Sequence, residues 1–209
     1  MAELMLPVPI LLIEDLPAFN HLLESILVGI GYPAELIMST DHLAEAEQLL
    51  QQHLPNLILI DLSIDQTDTI TLIKQLKKIH PDANVIAVLT QQQTSLLFDA
   101  IQAGAQGYIF HENTEAEILN NIKSILRGGA PIHHVLAQYI LSHQVESKQI
   151  ISTAQLNMPI HLSAIEYEIL TLVSAGLNLQ QVAEQTFTSL YNIEGNIKST
   201  YRKIACLKN

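Results

Sequence analysis

This sequence of 209 residues lacks a pair of cysteines for a disulfide bond, an apolar run long enough to span a membrane, and a high proportion of charged residues. It contains a single cysteine, Cys206, so no internal disulfide can form, and we expect the reducing environment of the cytoplasm. Its apolar runs are shorter than a transmembrane helix requires, so we expect no association with a membrane. Charged residues make up only 15% of the chain against 48% hydrophobic residues, which is typical of a folded globular protein.

Basic side chains are scarce, and they are distributed unevenly. Residues 1–127 carry 16 acidic and five basic side chains, a net charge of −11, whereas residues 128–209 carry five of each. The acidic part is therefore unsuited to contact with nucleic acid, while the neutral part permits it. The sequence also has no P-loop, no dinucleotide-binding fingerprint and no pairing of a nucleophile with a base, so we do not expect an enzyme.

Short apolar runs alternate with helical stretches throughout residues 1–127. The runs lie at 10–13, 36–38, 57–60, 85–89 and 108–110, and each is followed by a stretch with helical spacing. Five such units in succession predict an α/β fold with a doubly wound, five-stranded parallel sheet of the flavodoxin-like type.

Carboxylates follow two of the predicted strands. Glu14 and Asp15 come directly after the first apolar run, and Asp61 ends the third. Ligands of open parallel sheets bind at the carboxyl ends of the strands, where these side chains would repel one another unless a cation lay between them. A hard divalent cation, Mg²⁺, is the simplest partner for such oxygens. The alternative is that all three are solvated loop residues.

The rest of the chain is predicted to be helical. Gly128 and Gly129 end the alternating pattern, a helix is expected over 133–143, and a polar connector over 144–159. Two short helices joined by a tight turn near 188–189 then match a helix-turn-helix. We therefore predict a domain at 1–127, a linker with a helix at 128–158 and a small all-α domain at 159–209.

With these features the chain resembles a two-component response regulator of the NarL/FixJ family, in which a receiver domain precedes a LuxR-type helix-turn-helix. The resemblance implies that Asp61 accepts a phosphoryl group, that Glu14, Asp15 and Asp61 hold Mg²⁺, and that Thr90 and Tyr108 form the switch. His111 stands where the family has a lysine, and Asp65 where it usually has a proline. Alternative interpretations are a turn residue for Thr90, a packing residue for Tyr108 and a surface histidine for His111.

In the second domain the resemblance implies DNA contacts along the last helix. The candidate residues are Ser189, Glu194, Asn196, Lys198, Arg202 and Lys203. Glutamate can accept from cytosine and asparagine can pair with adenine, whereas phosphate contacts need the three cations. Because Glu194, Lys198 and Arg202 follow one another at intervals of four residues, a solvated charged stripe is the alternative.

Two hypotheses about function follow. In the first, the chain is a transcriptional regulator that receives its phosphoryl group from a sensor histidine kinase or another phosphodonor and binds promoter DNA as a homodimer. In the second, it is a protein-interaction adaptor, with a degenerate receiver and a helix-turn-helix domain that does not bind DNA. The resemblance favours the first hypothesis, whereas the neutral charge of the second domain, Glu194 and Gly195 favour the second.

Overall fold

A five-stranded parallel sheet forms the centre of the first half of the chain in a computed structural model, which describes residues 9–145 and 160–207. The strand order is β2-β1-β3-β4-β5. The strands are β1 (Ile10–Ile13), β2 (Ile37–Thr40), β3 (Leu57–Asp61), β4 (Asn84–Leu89) and β5 (Gly107–Phe110). The predicted doubly wound α/β fold is confirmed. The strand β2 begins one residue later than predicted, because a short 3-10 turn, Ala34–Leu36, occupies the start of the apolar run.

Helices cover both faces of the sheet. They are α1 (Pro17–Gly29), α2 (Leu43–His53), α3 (Gln66–Ile79), α4 (Thr94–Ala103) and α5 (Glu115–Leu126). Thr114 and Glu117 stand three positions apart, the spacing of a capping box, and they form one at the start of α5. α5 packs so closely on β5 that a Cβ at Gly107 would lie 2.3 Å from Ile125 Cδ1, which is why only glycine fits there.

The second half of the chain consists of helices α6 (His134–Val145), α7 (Ala164–Ser174), α8 (Leu179–Gln185) and α9 (Leu190–Ala205). The two helices α8 and α9 and the turn between them form the predicted helix-turn-helix. α6 extends to Val145, two residues beyond the predicted end of the helix, so Gln144 belongs to the helix and not to the predicted connector. Residues 146–159 of the predicted connector lie outside the described part of the chain.

One apolar core joins the two halves. The cluster that begins on one face of the sheet continues through α6 into α7, α8 and α9, and it includes Leu97, Ile140, Ile169 and Ile197. α6 therefore packs as part of the molecule and not as a free linker, in contact with α4 and α7. In the described ranges no helix has the length and apolarity that a crossing of the bilayer would demand.

Candidate functional site

The register of the sheet brings Glu14 and Asp61 together. Ile13 of β1 pairs with Ile60 of β3, so the next residues, Glu14 and Asp61, lie side by side at the carboxyl edge. Both side chains are buried, with 1% and 0% of their surface exposed. Each keeps one oxygen anchored to the backbone: Glu14 Oε1 accepts from Leu16 N at 2.9 Å, and Asp61 Oδ1 accepts from Ser63 N at 2.7 Å. The second oxygen of each points into a common pocket.

His111 lies in that pocket between the two carboxylates. Its Nε2 is 3.4 Å from Asp61 Oδ2 and 3.5 Å from Glu14 Oε2, longer than ordinary hydrogen bonds but within ion-pair range. β5 places it there, because the His111 N–H continues the pairing with β4 by donating to Leu89 O at 2.9 Å. The ring is also packed edge-on against Phe19. Only 13% of the side chain is exposed, so the interpretation of His111 as a surface histidine is wrong.

The three groups shift one another's protonation. The contacts with Asp61 and then Glu14 outweigh burial and raise the pKa of His111 to about 10. Burial alone would raise the pKa of Asp61, but His111 and the Ser63 N–H together lower it below its usual value. For Glu14, burial prevails over His111 and the Leu16 N–H, and its pKa is raised. The site is thus a histidinium facing two carboxyl groups, with Asp61 as the stronger acid.

The other residues predicted for this edge lie around the pocket. Asp15 is exposed and does not belong to the cluster of Glu14, Asp61 and His111. Thr90 follows β4 and pairs with the side chain of Gln93, its Oγ1 lying 3.1 Å from Gln93 Oε1. Asp65 is the N-cap of α3 and accepts from Thr67 N and Asp68 N, both at 3.1 Å. The carboxylate of Asp65 therefore begins a helix, a capping role that was not predicted from the sequence.

Tyr108 connects the sheet to the second half of the chain. It is buried in β5, and its hydroxyl accepts from His133 N at 2.5 Å. The same hydroxyl interacts with that of Tyr201 on α9, and the Tyr201 hydroxyl also donates to Pro131 O. Burial raises the pKa of both tyrosines, which keeps the two hydroxyls neutral. A predicted switch residue thus touches the predicted recognition helix.

The residues predicted to contact DNA have different environments. Lys198 Nζ donates to Gly128 O at 3.0 Å, across the junction between the two halves, and Arg202 is exposed beside the same junction. Gly128 has φ +81°, a left-handed conformation that favours glycine. Lys203 Nζ lies 2.5 Å from Glu166 Oε2 within the helical half. Ser189 caps α9, Asn196 donates to Asn192 O at 2.8 Å, and Glu194 is partly buried.

Glu166 organises the helical half. The sequence predicts it as the capping-box partner of Ser163, and the structure shows this pair, with Ser163 N donating to Glu166 Oε2 at 2.7 Å. It also accepts from Ser199 Oγ at 2.7 Å, which ties α7 to α9. Burial would raise the pKa of Glu166, but Lys203, Ser199 and the Ser163 N–H lower it. A single buried carboxylate thus fixes the position of the helix that is predicted to read DNA.

Replacing Glu166 with glutamine is expected to lower the free energy of unfolding by about 1–3 kcal/mol at pH 7, the range for a lost charge-assisted hydrogen bond. Because the pKa of Glu166 is lower in the folded chain than the ordinary 4.5, its contribution is present above pH 4.5 and disappears as the pH falls through the folded value. Urea unfolding at pH 7 and pH 3.5 measures both effects. The exposed Glu168→Gln is the matched control, and an equal loss in both variants would contradict the role assigned to Glu166.

Two exposed aromatic side chains lie at the turn of the helix-turn-helix, where no functional residue was predicted. Phe187, in a left-handed conformation with φ 53°, is 97% exposed, and Tyr191 at the start of α9 is 83% exposed. The two aromatic side chains are four residues apart and both flank the start of α9. The sequence offered one signal, the Phe-Thr-Ser-Leu-Tyr segment at a position expected to be a polar turn.

Comparison with known proteins agrees with this architecture. Residues 10–123 match the family model described as the response regulator receiver domain. The chain is 30% identical to the chemotaxis protein CheY of Bacillus subtilis, over 56% of this chain and 96% of CheY. It is 21% identical to the transcriptional regulatory protein DegU of Brevibacillus brevis, over 94% and 87%. The Salmonella typhimurium response regulator RcsB has the same fold, with a TM-score of 0.54 at 17% identity over 98% and 95%.

Proposed function

The chain belongs to the response regulator receiver family, and on that basis we propose that it is a DNA-binding transcriptional regulator whose receiver is phosphorylated on Asp61. The observation that carries this proposal is the contact between Tyr108 of the receiver and Tyr201 of α9. This contact connects the sheet that carries Asp61 to the helix that is expected to bind DNA. Two relatives described as transcriptional regulatory proteins, YxjL of Bacillus subtilis and DegU of Brevibacillus brevis, match 74% and 94% of this chain, which favours this function over the adaptor alternative.

Asp61 is suited to accept a phosphoryl group. Its lowered pKa keeps it ionised at neutral pH, so a carboxylate oxygen can attack phosphorus, forming an O–P bond as the bond to the donor's leaving group breaks. His111 holds a positive charge beside it, in the place of the family's lysine. The donor is a sensor histidine kinase or a small phosphodonor.

The pocket also suits Mg²⁺. Glu14 Oε2 and Asp61 Oδ2 are buried without a hydrogen-bond partner among the described residues, and carboxylate oxygens are the ligands that this ion prefers. Asp15, although exposed, is close enough in sequence to contribute through water. When bound, the ion neutralises the charge that builds up on the phosphoryl oxygens. Glu14 and Asp61 would hold it, and the N–H groups of Leu16 and Ser63 keep both side chains oriented.

The receiver holds the recognition helix in a closed arrangement. Lys198 is engaged by Gly128, Tyr201 by Pro131, and the receiver's Gln102 donates to Leu207 O at 2.9 Å beyond the end of α9. Three separate bonds thus hold a helix that must fit into a DNA groove. Phosphorylation at Asp61 would move Thr90 and Tyr108, release α9 and allow two copies to bind DNA, as RcsB dimers have been observed to do.

DNA binding is tested by retardation of the gene's own promoter fragment at increasing salt concentrations. We expect binding that weakens as salt rises, with a shallow slope, because only Lys198, Arg202 and Lys203 offer cations on α9 and Lys203 is paired with Glu166. Arg202→Ala should weaken binding at every salt concentration and reduce the slope by about one.

The control for this experiment is Lys78→Ala, which removes one exposed positive charge from α3 in the receiver. It should leave both the affinity and the salt slope unchanged. Retardation that is insensitive to salt and equal in both variants would count against DNA binding by α9 and in favour of the adaptor.

A further inference from the structure

A cavity of about 360 Å³ lies where the receiver meets α9. Asn84 at the start of β4 and Gln106 just before β5 line it, so it lies at the amino edge of the sheet. Asp61 ends β3 and therefore belongs to the opposite edge. Ligand-binding cavities in proteins have volumes of about 300–1,000 Å³. This junction cavity is thus large enough for a small organic molecule and is separate from the phosphorylation pocket.

The receiver gives the junction cavity an apolar lining. The buried side chains that contribute to it are Ile101, Ala105, Ile125 and Ala130. The amide of Gln106 is already engaged at both ends, since Oε1 accepts from Val85 N at 2.7 Å and Nε2 donates to Ala83 O at 3.3 Å. A ligand held here therefore needs an apolar body that covers these walls.

The side of the cavity that α9 provides is positively charged. Lys198 and Arg202, four residues apart on the helix, both line it. The ammonium group of Lys198 has three N–H donors and gives one of them to Gly128 O at 3.0 Å. Within residues 9–145 and 160–207, the guanidinium group of Arg202 makes neither a hydrogen bond nor an ion pair. Two cationic groups with unused donors thus border a space large enough for an anion.

One acidic side chain, Asp82, also lines the cavity among the described residues. It is exposed and interacts electrostatically with Lys77 of α3, whose Nζ donates to Ala83 O at 2.8 Å. Because Lys77 offsets the charge of Asp82, the two cations of α9 leave a local excess of positive charge. An arginine binds a carboxylate or a phosphate through two parallel N–H···O bonds. The cavity therefore matches an oxyanion that is attached to an apolar body.

The two halves of the chain supply different parts of this site. The apolar walls belong to the receiver and the cations belong to α9, so a ligand that contacts both can bind only while α9 lies against the receiver. Such a ligand stabilises that arrangement. The phosphate groups of DNA need the same two cations. Binding of the ligand and binding of DNA therefore exclude each other.

We propose that the junction cavity binds a small organic anion, whose carboxylate or phosphate contacts Lys198 and Arg202 and whose apolar body lies against Ile101 and Ile125. The bound anion holds α9 on the receiver and thereby opposes DNA binding. The binding of the anion is independent of the proposed function, whereas its effect on DNA rests on that function. The protein then responds to two inputs at opposite edges of one sheet.

The test is a titration of the full ¹⁵N-labelled chain with benzoate and with phenyl phosphate at constant ionic strength. We expect dissociation constants of about 1 mM, an affinity within reach of a fragment of about ten heavy atoms. The amide signals of Gly104, Gly128 and Gly129, which line the cavity, should shift, and those of Gly31 and Gly176 should not. Benzamide, which is uncharged, and inorganic phosphate, which has no apolar body, should bind about tenfold more weakly or less. The tighter of the two organic anions identifies the preferred charged group.

Arg202→Gln should weaken the binding of both organic anions about tenfold, because it removes hydrogen bonds to a charged group. Lys78→Gln, at an exposed position of α3, should leave it unchanged. Ala205→Leu keeps both cations but adds bulk at the exposed rim of the cavity, so it should also weaken binding. Ala164→Leu makes the same change at an exposed position of α7 and is its control. Equal shifts with benzamide, or affinities that Arg202→Gln and Ala205→Leu leave intact, would overturn the proposal.

The effect on DNA is measured by retardation of the promoter fragment in the presence of benzoate, with benzamide at the same concentration as the control. At ten times the dissociation constant of benzoate, mutual exclusion lowers the apparent affinity for DNA by about tenfold. Ala205→Leu should bind DNA equally well with and without benzoate. Unchanged DNA binding by a chain saturated with benzoate would refute the inhibitory role. A chain that binds benzoate at this site but never binds DNA would contradict the proposed function alone.

Discussion

We expect Asp61→Asn to abolish the uptake of a phosphoryl group from acetyl phosphate in the presence of Mg²⁺, whereas the wild-type chain should gain the mass of one phosphoryl group. An amide oxygen is a far weaker nucleophile than a carboxylate, and it also binds a divalent cation poorly. Because Asp61 is fully buried beside Glu14 and His111, no other carboxylate can move into its place without rearranging the pocket. Intact-protein mass spectrometry measures the result.

Asp65→Asn is the matched control for this substitution. It makes the same chemical change four residues further on, and asparagine caps helices as well as aspartate, so α3 should be unaffected. We expect its phosphorylation to match that of the wild type. If Asp61→Asn still gains the phosphoryl mass, or if the wild type gains none while its fold is intact, Asp61 is not the acceptor.

Tyr108→Phe should raise the affinity of the unphosphorylated chain for DNA by about tenfold. The substitution keeps the ring in the core but removes the hydroxyl that accepts from His133 N and interacts with Tyr201. Leaving these buried partners unsatisfied costs about 1–3 kcal/mol, and 1.4 kcal/mol corresponds to a factor of ten in an equilibrium constant. The substitution destabilises the closed arrangement, in which α9 is held against the receiver. The equilibrium therefore shifts toward the state in which α9 is released.

Fluorescence anisotropy with labelled promoter DNA measures this affinity, and the residues expected to contact DNA are unchanged in the variant. Tyr167→Phe, which removes a hydroxyl from a 48% exposed tyrosine on α7, serves as the control. A Tyr108→Phe chain that binds DNA as weakly as the wild type, with unchanged thermal stability, would show that the contact with Tyr201 does not restrain α9.

The sheet and the pairing of Glu14 with Asp61 were predictable because both depend on local patterns. Apolar runs of four to six residues between helical stretches predict parallel strands, and the carboxyl ends of such strands meet at one edge by topology. The capping boxes at Thr114 and Ser163 were predictable for the same reason, since the residues that form them are three positions apart.

His111 and Lys203 were harder to assign. Whether a histidine after β5 faces solvent or reaches across the end of β4 to Asp61 depends on side-chain packing, here on the ring of Phe19 from α1. Likewise, Lys203 was predicted as a cation for DNA because it lies on α9, but Glu166 is 37 residues away in the sequence and only the packing of α7 on α9 brings the two together. Contacts between residues that are distant in sequence leave no periodic signal.

By itself, the sequence determined the five strands and the flavodoxin-like class of the sheet, its acidic edge and the presence of a helix-turn-helix, because hydrophobic periodicity and capping residues act within a few positions of one another. Only the tertiary structure decided that the two halves share one apolar core, that Tyr108 touches Tyr201, and that His111 completes a three-atom cluster with Glu14 and Asp61. These features depend on how the helices pack against one face of the sheet, and packing is settled by the shapes of many side chains together rather than by any local pattern.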